Sequence, residues 1–298
     1  MDALLELLTT VAAPALIAAV MVASARQRAM QAALLASGDR TPGALAPLPA
    51  AGALAFAAAF LCVHLALFRE LAVPSDTRDI PFQHKVAWVI VGVALVTPLM
   101  TLPLPFLRRV GHLLVAGVAT VLVSRFGLER SFPDTAGWFV RLGVALCMYA
   151  LLVWQDRTAT RVPGMAAPVV WSLALAGAAV TILLARSASE AQRLGGMAAA
   201  CGAVALVGLL QKRTRFPAGA ILILTLVYAA ALIQAWVYDL SLVAVLLLVA
   251  AVALPGVVMP RMPTERRQVL AGASLALACA TAAALWTWAH APAPNPYG

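Results

Sequence analysis

Charged residues are scarce in this sequence. Asp, Glu, Lys and Arg make up 11% of its 298 residues, against about 25% in an ordinary soluble domain, and 63% of the residues are hydrophobic. A single globular core cannot hide that share of apolar surface. The composition therefore excludes a soluble enzyme, a disordered tail, a coiled coil and a disulfide-stapled secreted module, and it predicts a protein of the lipid bilayer.

Motifs that would indicate a particular chemistry are also missing. The four cysteines, Cys62, Cys147, Cys201 and Cys279, lie far apart inside apolar runs. That spacing is neither a zinc motif nor a disulfide framework, and we expect them to be small packing residues. The sequence contains no Gly-rich phosphate loop, nucleophile elbow or paired-histidine zinc signature. It therefore predicts no catalytic residues, no metal and no cofactor.

What the sequence contains instead is a series of apolar runs. A membrane-spanning helix needs about 20 mostly apolar residues, and ten runs reach or approach that length, the third, fourth and seventh being the shortest. They cover residues 3–24, 48–68, 86–102, 110–124, 137–154, 165–185, 194–210, 218–238, 240–259 and 269–289. We predict an all-α, polytopic transmembrane helix bundle of about ten spans, forming one domain over residues 1–298 with no soluble domain.

Prolines and polar stretches separate the runs. Residues 26–35 predict a short surface helix after the first span, and Pro103-Leu104-Pro105 predicts a break between the third and fourth spans, because proline has no N–H to donate. The tripeptide Ala-Ala-Pro ends at Pro14 in the first run and at Pro168 in the sixth. Broken helices at equivalent places of inverted repeats mark the sites of many transporters, whereas proline is also common in the first turn of a helix.

The connector before the seventh span is the most distinctive polar stretch. Residues 186–193 read Arg-Ser-Ala-Ser-Glu-Ala-Gln-Arg, and we place all of them outside the span. Small residues follow at Gly195, Gly196, Ala199 and Ala200. This spacing predicts close packing of the seventh span against a neighbouring helix.

The basic residues are distributed unevenly between the connectors. Counted along the chain, odd-numbered connectors carry 13 cations and three acids, and even-numbered connectors carry seven cations and seven acids. Lys and Arg bias short loops towards the cytoplasm, so the net charge of +9 is an orientation signal and not a sign of nucleic-acid binding. We predict a multi-pass protein of a bacterial-type inner membrane with both termini on the non-cytoplasmic side.

Several polar residues lie near the predicted outer ends of the spans. The candidate ligand-binding residues are His64, His84, Arg141, Gln234 and Asp239. Ionisable groups at bilayer depth are costly and for that reason often functional. One interpretation is that these side chains line an outer vestibule for a small polar or anionic ligand, with Arg141 as the counter-charge. The sequence favours the other interpretation, in which each side chain reaches the headgroups and pairs locally.

Three functions fit this pattern. The sequence favours a non-catalytic membrane component packed against partner subunits or copies of itself, because its spans are rich in Ala and Gly and its connectors are short. The second is a small-solute transporter, supported by the span number, the helix prolines and the outer polar layer. The third is an intramembrane enzyme that acts on lipid-linked substrates through His64, His84 and the acids of residues 69–85.

In size and helix number the chain resembles the drug/metabolite transporter superfamily. That resemblance is one of dimensions, and no motif accompanies it. The predicted outside termini also differ from the cytoplasmic termini usual in that superfamily.

Overall fold

The computed structural model of the protein describes residues 8–37, 49–69, 81–97, 105–128, 131, 135–162, 164–185, 187–210, 218–238 and 240–290. Within these residues the chain forms ten α-helices and no β-strand. They are α1 (Ala13–Ser37), α2 (Pro49–Phe68), α3 (Phe82–Val96), α4 (Pro105–Leu128), α5 (Thr135–Arg161), α6 (Ala166–Leu184), α7 (Ala188–Leu210), α8 (Ala218–Tyr238), α9 (Leu242–Val258) and α10 (Glu265–Ala289). A π-helical turn (Leu8–Ala12) precedes α1, and a 3₁₀ turn (Met259–Arg261) follows α9.

This architecture confirms the predicted all-α bundle, and no soluble domain is present in the described part of the chain. Seven of the helices have described stretches that are long and apolar enough to cross a membrane. The other three have shorter apolar stretches, Gly52–Phe68, Phe82–Val96 and Leu113–Leu128.

The helix bounds follow local sequence signals. α2 and α8 nearly coincide with the predicted runs 48–68 and 218–238. The predicted surface helix at residues 26–35 is wrong as a separate element, because α1 continues through it to Ser37. Neither glycine nor proline interrupts the chain there before Gly38, and those two residues are the ones that end helices most readily.

Prolines determine where α3 and α4 lie. α3 begins directly after Pro81 and ends at Val96, not at the predicted residue 102. Its C-terminal cap is Thr97, whose hydroxyl donates to the carbonyl of Val93 at 2.7 Å. Pro98 follows, and proline has no N–H with which to continue the hydrogen bonds of the helix. α4 begins at Pro105, a position that suits proline because the first N–H groups of a helix have no intrahelical partner.

Helix α8 lies on the axis of the bundle and contacts seven other helices. These seven form a closed ring in the order α2, α3, α4, α5, α9, α6 and α7, in which each helix contacts the next and α7 contacts α2. α1 packs on the outside against α2 and α7, and α10 packs on the outside against α6 and α9. Among the described helices, α8 therefore occupies the axis of this ring.

The sequence of α8 explains this central position. Every residue from 219 to 235 is buried, as expected for a helix that is apolar on all sides. Its Tyr228 finds a partner within the core, because the hydroxyl donates to the carbonyl of Leu248 at 2.7 Å. Trp171 meets the same tyrosine edge-on, with ring centroids 5.9 Å apart.

The two Ala-Ala-Pro tripeptides occupy different helix geometries. Pro14 lies at the second position of α1, immediately after the π-helical turn. Pro168 is the third residue of α6 and therefore lies in its first turn, where its missing N–H costs little. The shared tripeptide thus marks an irregular helix start in one case and an ordinary one in the other.

Helix ends gather at two faces of the bundle. One face, here called the His64 end, contains the π-helical turn, the C-terminal end of α2 and the N-terminal ends of α3 and α7. The other, the Glu265 end, contains the links α5–α6 and α9–α10. There the Glu265 carboxylate accepts a hydrogen bond from the backbone N–H of Met165 at 3.0 Å, and Thr264 caps α10.

Candidate functional site

A pair of histidines lies at the His64 end. His64 is in the last turns of α2 and His84 is the third residue of α3. Their side chains meet with Nε2 of His64 3.1 Å from Nδ1 of His84, so one ring donates a hydrogen bond to the other. His64 is fully buried and His84 is 5% exposed. The structure therefore brings two of the predicted site residues into direct contact.

An aromatic side chain joins this pair to a buried cation. The ring of Phe68 lies 4.9 Å from the His64 ring and 5.5 Å from the His84 ring, measured between centroids. The guanidinium of Arg193 lies over the Phe68 ring, 4.7 Å from its centroid. Phe60 stacks on the other side of His64 at 6.0 Å. α2, α3 and α7 thus each contribute to one cluster.

Arg193 forms an ion pair with Glu190 inside the protein. Nη1 of Arg193 lies 3.0 Å from Oε1 of Glu190 and donates a hydrogen bond to Oε2 at 3.2 Å. The two side chains are 4% and 3% exposed. An ion pair removed from water this completely carries a desolvation penalty that its own attraction does not always repay. Its presence at the end of an apolar bundle calls for a functional explanation.

One edge of the Arg193 guanidinium has no protein partner in the described part of the chain. Nε and Nη2 are both buried without a hydrogen bond, and so is Nδ1 of His64. These two guanidinium nitrogens share one edge of the planar group, the edge that binds a carboxylate or phosphate through two parallel hydrogen bonds. The edge that remains is therefore complementary to a small oxyanion.

Close backbone packing holds the cluster in place. Gly196 lies three residues after Arg193, and a methyl group at this glycine would collide with the carbonyl oxygen of Thr10 and with the side chain of Val63. Thr10 belongs to the π-helical turn, and Val63 precedes His64 in the chain. The predicted close packing of this segment is thus present, and it fits α7 against α2 and the start of α1.

The remaining predicted residues lie elsewhere. Arg141 belongs to the contact between α4 and α5, where its carbonyl accepts a hydrogen bond from Ser124 at 3.0 Å and its guanidinium lies 5.7 Å from the Trp138 ring centroid. Gln234 is buried near the end of α8. Asp239 lies outside the described residues. Within the described ranges, no group of three His, Cys, Asp or Glu side chains could hold a metal ion.

Sequence reasoning missed Glu190 and Arg193. It placed both in a solvated connector, whereas α7 begins at Ala188 and includes them. The signal was present in Ser187-Ala188-Ser189-Glu190, because serine followed three residues later by glutamate marks a helix start. Reading the helix from Ser187 places Glu190 and Arg193 one turn apart on the same face.

No family model, no curated protein and no solved structure matches this chain.

Proposed function

We propose that this membrane protein is a permease for a small solute that carries a carboxylate, bound at the His64 end. One observation carries the proposal: the buried Arg193 side chain presents Nε and Nη2 with no partner among the described residues. A buried guanidinium with an unused edge is costly unless another group satisfies it. A carboxylate fits that edge because both groups are planar and pair through two hydrogen bonds.

The position of the site supports access from one side of the membrane. His64 lies four residues before the end of α2 and Arg193 five residues after the start of α7. At about 1.5 Å per residue, both lie about 6–8 Å inside the helix ends. A solute would therefore reach Arg193 after crossing about one and a half helical turns.

The adjoining π-helical turn also favours a binding function. Single π turns within helices occur frequently at functional sites, and transporter sites are often built where a helix is irregular. Here the irregular turn at Leu8–Ala12 contacts α7 through Thr10 and Gly196. A shift of α1 would consequently change the packing directly behind Arg193.

Charge balance suggests what enters with the solute. Glu190 already neutralises Arg193, and the neighbouring titratable groups are His64 and His84. A second carboxylate on the same guanidinium would repel Glu190, and one of two carboxyl groups in so small a space favours the protonated form. We therefore infer that each carboxylate enters together with one proton.

The distribution of cations supports an orientation with both termini outside a bacterial-type inner membrane. Five arginines are exposed at the Glu265 end: Arg157, Arg161, Arg261, Arg266 and Arg267. Short loops rich in Lys and Arg stay in the cytoplasm. In this orientation the His64 end faces outwards, and Arg193 replaces Arg141 as the counter-charge for the ligand.

Binding and uptake of pyruvate test the proposal. Purified protein is titrated with pyruvate, and proteoliposomes are assayed for uptake of labelled pyruvate with and without an inward proton gradient. We expect Arg193→Gln to weaken binding about 10- to 100-fold, the loss of a charge-assisted pair of hydrogen bonds. Arg193→Lys keeps the positive charge but cannot form the two parallel hydrogen bonds of a guanidinium. We expect this variant to lose most of the affinity for pyruvate.

Arg141→Gln is the matched control, because Arg141 is another buried arginine of the bundle. Loss of binding in Arg141→Gln alone would place the ligand at the predicted vestibule and contradict the proposal. Equal binding by the wild type and Arg193→Gln would also contradict it. A stoichiometric partner retained in mild detergent, with no uptake above empty liposomes, would instead favour the non-catalytic component packed with partners.

A further inference from the structure

An apolar groove runs between α3 and α4 on the outside of the bundle. It encloses about 520 Å³. Its walls are apolar, with Val93 and Val96 from α3 facing Val118 and Leu122 from α4, and Lys85 is the one charged side chain among the residues that line it. Val96 and Val118 are exposed, so the groove opens to the surroundings of the bundle and not to its core.

A glycine opens this groove. Gly92 lines it, and a methyl group at that position would meet no atom within 4 Å. The side chains on either side of Gly92 along α3 are larger, so the missing side chain leaves a depression in the helix surface. An apolar groove with such a depression is suited to holding a chain of methylene groups.

The length of the groove matches one leaflet of a bilayer. Lys85 and Val96 stand eleven residues apart on α3, which corresponds to about 16 Å at 1.5 Å per residue. The hydrocarbon core of a membrane is about 30 Å thick, and one leaflet is about half of that. One acyl chain therefore fits the groove from end to end.

Positive charge and aromatic rings mark the end of the groove that meets the headgroups. The Lys85 ammonium lies 5.3 Å from the centroid of the Phe126 ring, and Arg125 is exposed in the last turn of α4. Trp88 lines the groove one turn from Lys85, and tryptophan prefers the headgroup level. This end is at the His64 end of the bundle, since Lys85 follows His84 in the chain.

We propose that the groove between α3 and α4 binds one anionic phospholipid, with an acyl chain along Gly92 and the phosphate at Lys85. The shape and length of the groove fit the acyl chain. Lys85 and Arg125 favour a headgroup with net negative charge over a zwitterionic one. The lipid site uses none of the side chains proposed to bind the carboxylate at Arg193, so the two proposals can be tested independently.

Native mass spectrometry of the full chain in detergent tests this site. The protein is titrated with dioleoyl phosphatidylglycerol and, separately, with dioleoyl phosphatidylcholine; the two lipids have the same acyl chains, and their headgroups are anionic and zwitterionic, respectively. We expect the wild type to retain phosphatidylglycerol preferentially. Lys85→Gln is expected to weaken phosphatidylglycerol binding about fivefold with little effect on phosphatidylcholine, as for one cation near a membrane surface, and Lys85→Arg is expected to restore it.

Gly92→Leu tests the groove itself, and Gly143→Leu is its matched control. Gly143 is a helical glycine on α5 that also has no atom within 4 Å of an added methyl group, and it lies outside the groove. We expect Gly92→Leu to lose the bound phosphatidylglycerol and Gly143→Leu to keep it. Equal binding of the two lipids by the wild type, equal behaviour of the two leucine variants, or a dimer that Gly92→Leu dissociates would overturn the proposal.

Discussion

Glu190→Gln is the substitution whose effect on stability follows most directly from the structure. It keeps the size and shape of the side chain but leaves the Arg193 guanidinium inside the protein without a counter-charge. Arg193 is 4% exposed and donates from Nη1 to the carboxylate that is lost. Removing one partner of a buried ion pair typically costs about 3–5 kcal/mol, and we expect a decrease in the free energy of unfolding within that range.

Removing the arginine instead of the carboxylate is expected to lower the free energy of unfolding by less. In Arg193→Met a carboxyl group remains, and a carboxyl group can take up a proton and become neutral, whereas a guanidinium cannot lose one. The double variant Glu190→Gln with Arg193→Met removes both charges. Replacing a buried pair by uncharged groups of similar volume is often neutral or stabilising, so we expect the double variant to be within about 1 kcal/mol of the wild type.

Unfolding by denaturant in mixed micelles, followed by tryptophan fluorescence, measures these free energies. Glu265→Gln serves as the control, because Glu265 is an exposed carboxylate in the first turn of α10, and such groups contribute about 0.3–1 kcal/mol. If Glu190→Gln costs no more than Glu265→Gln, or if the costs of the two single variants simply add in the double variant, Glu190 does not stabilise the Arg193 guanidinium as a buried counter-charge.

Four further changes test other parts of the fold. Gly196→Val should lower the free energy of unfolding by about 1–3 kcal/mol, because the added methyl groups push α7 away from Thr10; the same shift should weaken pyruvate binding in a titration. Gln155→Leu should cost about 1 kcal/mol in the same unfolding measurement, because its buried amide donates to the carbonyl of Val252 at 2.8 Å. Arg69→Gly should stabilise the protein by about 0.5–1 kcal/mol, because Arg69 holds a left-handed backbone conformation with φ 55° after α2; an unchanged or lower melting temperature would contradict this. Alkaline phosphatase fused after Gly298 should be active, and an inactive fusion together with a fluorescent cytoplasmic reporter would overturn the predicted orientation.

Much of the fold could be predicted because lipid imposes strict rules on sequence. A helix that crosses a bilayer needs about 20 mostly apolar residues, so α2 and α8 appear in the sequence as long apolar runs. Apart from the early end of α3 at Val96, the larger errors in the predicted bounds belong to helices that extend beyond their apolar runs. α1 continues past Arg26 and α5 continues to Arg161, and hydropathy alone assigns such charged turns to connectors.

The site was only partly predictable, for a different reason. His64 is conspicuous because a polar residue interrupts an apolar run, and its partner His84 lies close in the sequence. Glu190 and Arg193 lie in the stretch 186–193, in which six of the eight residues are polar, and there composition predicts exposure. Their burial follows from the approach of α1 and α2 to Gly196, which is a long-range contact that no local pattern encodes.

The ring around α8 has a consequence for the order in which the protein assembles. Helices α2 to α7 make an arc that is open between α5 and α6, and α9 is the helix that stands between those two. α8 therefore leaves the ribosome after all the helices of this arc have been synthesised, and it can enter the arc through the opening between α5 and α6. α9 is synthesised next and closes that opening. A chain truncated after Tyr238 would lack α9 and would therefore expose to lipid the flank of α8 that α9 covers.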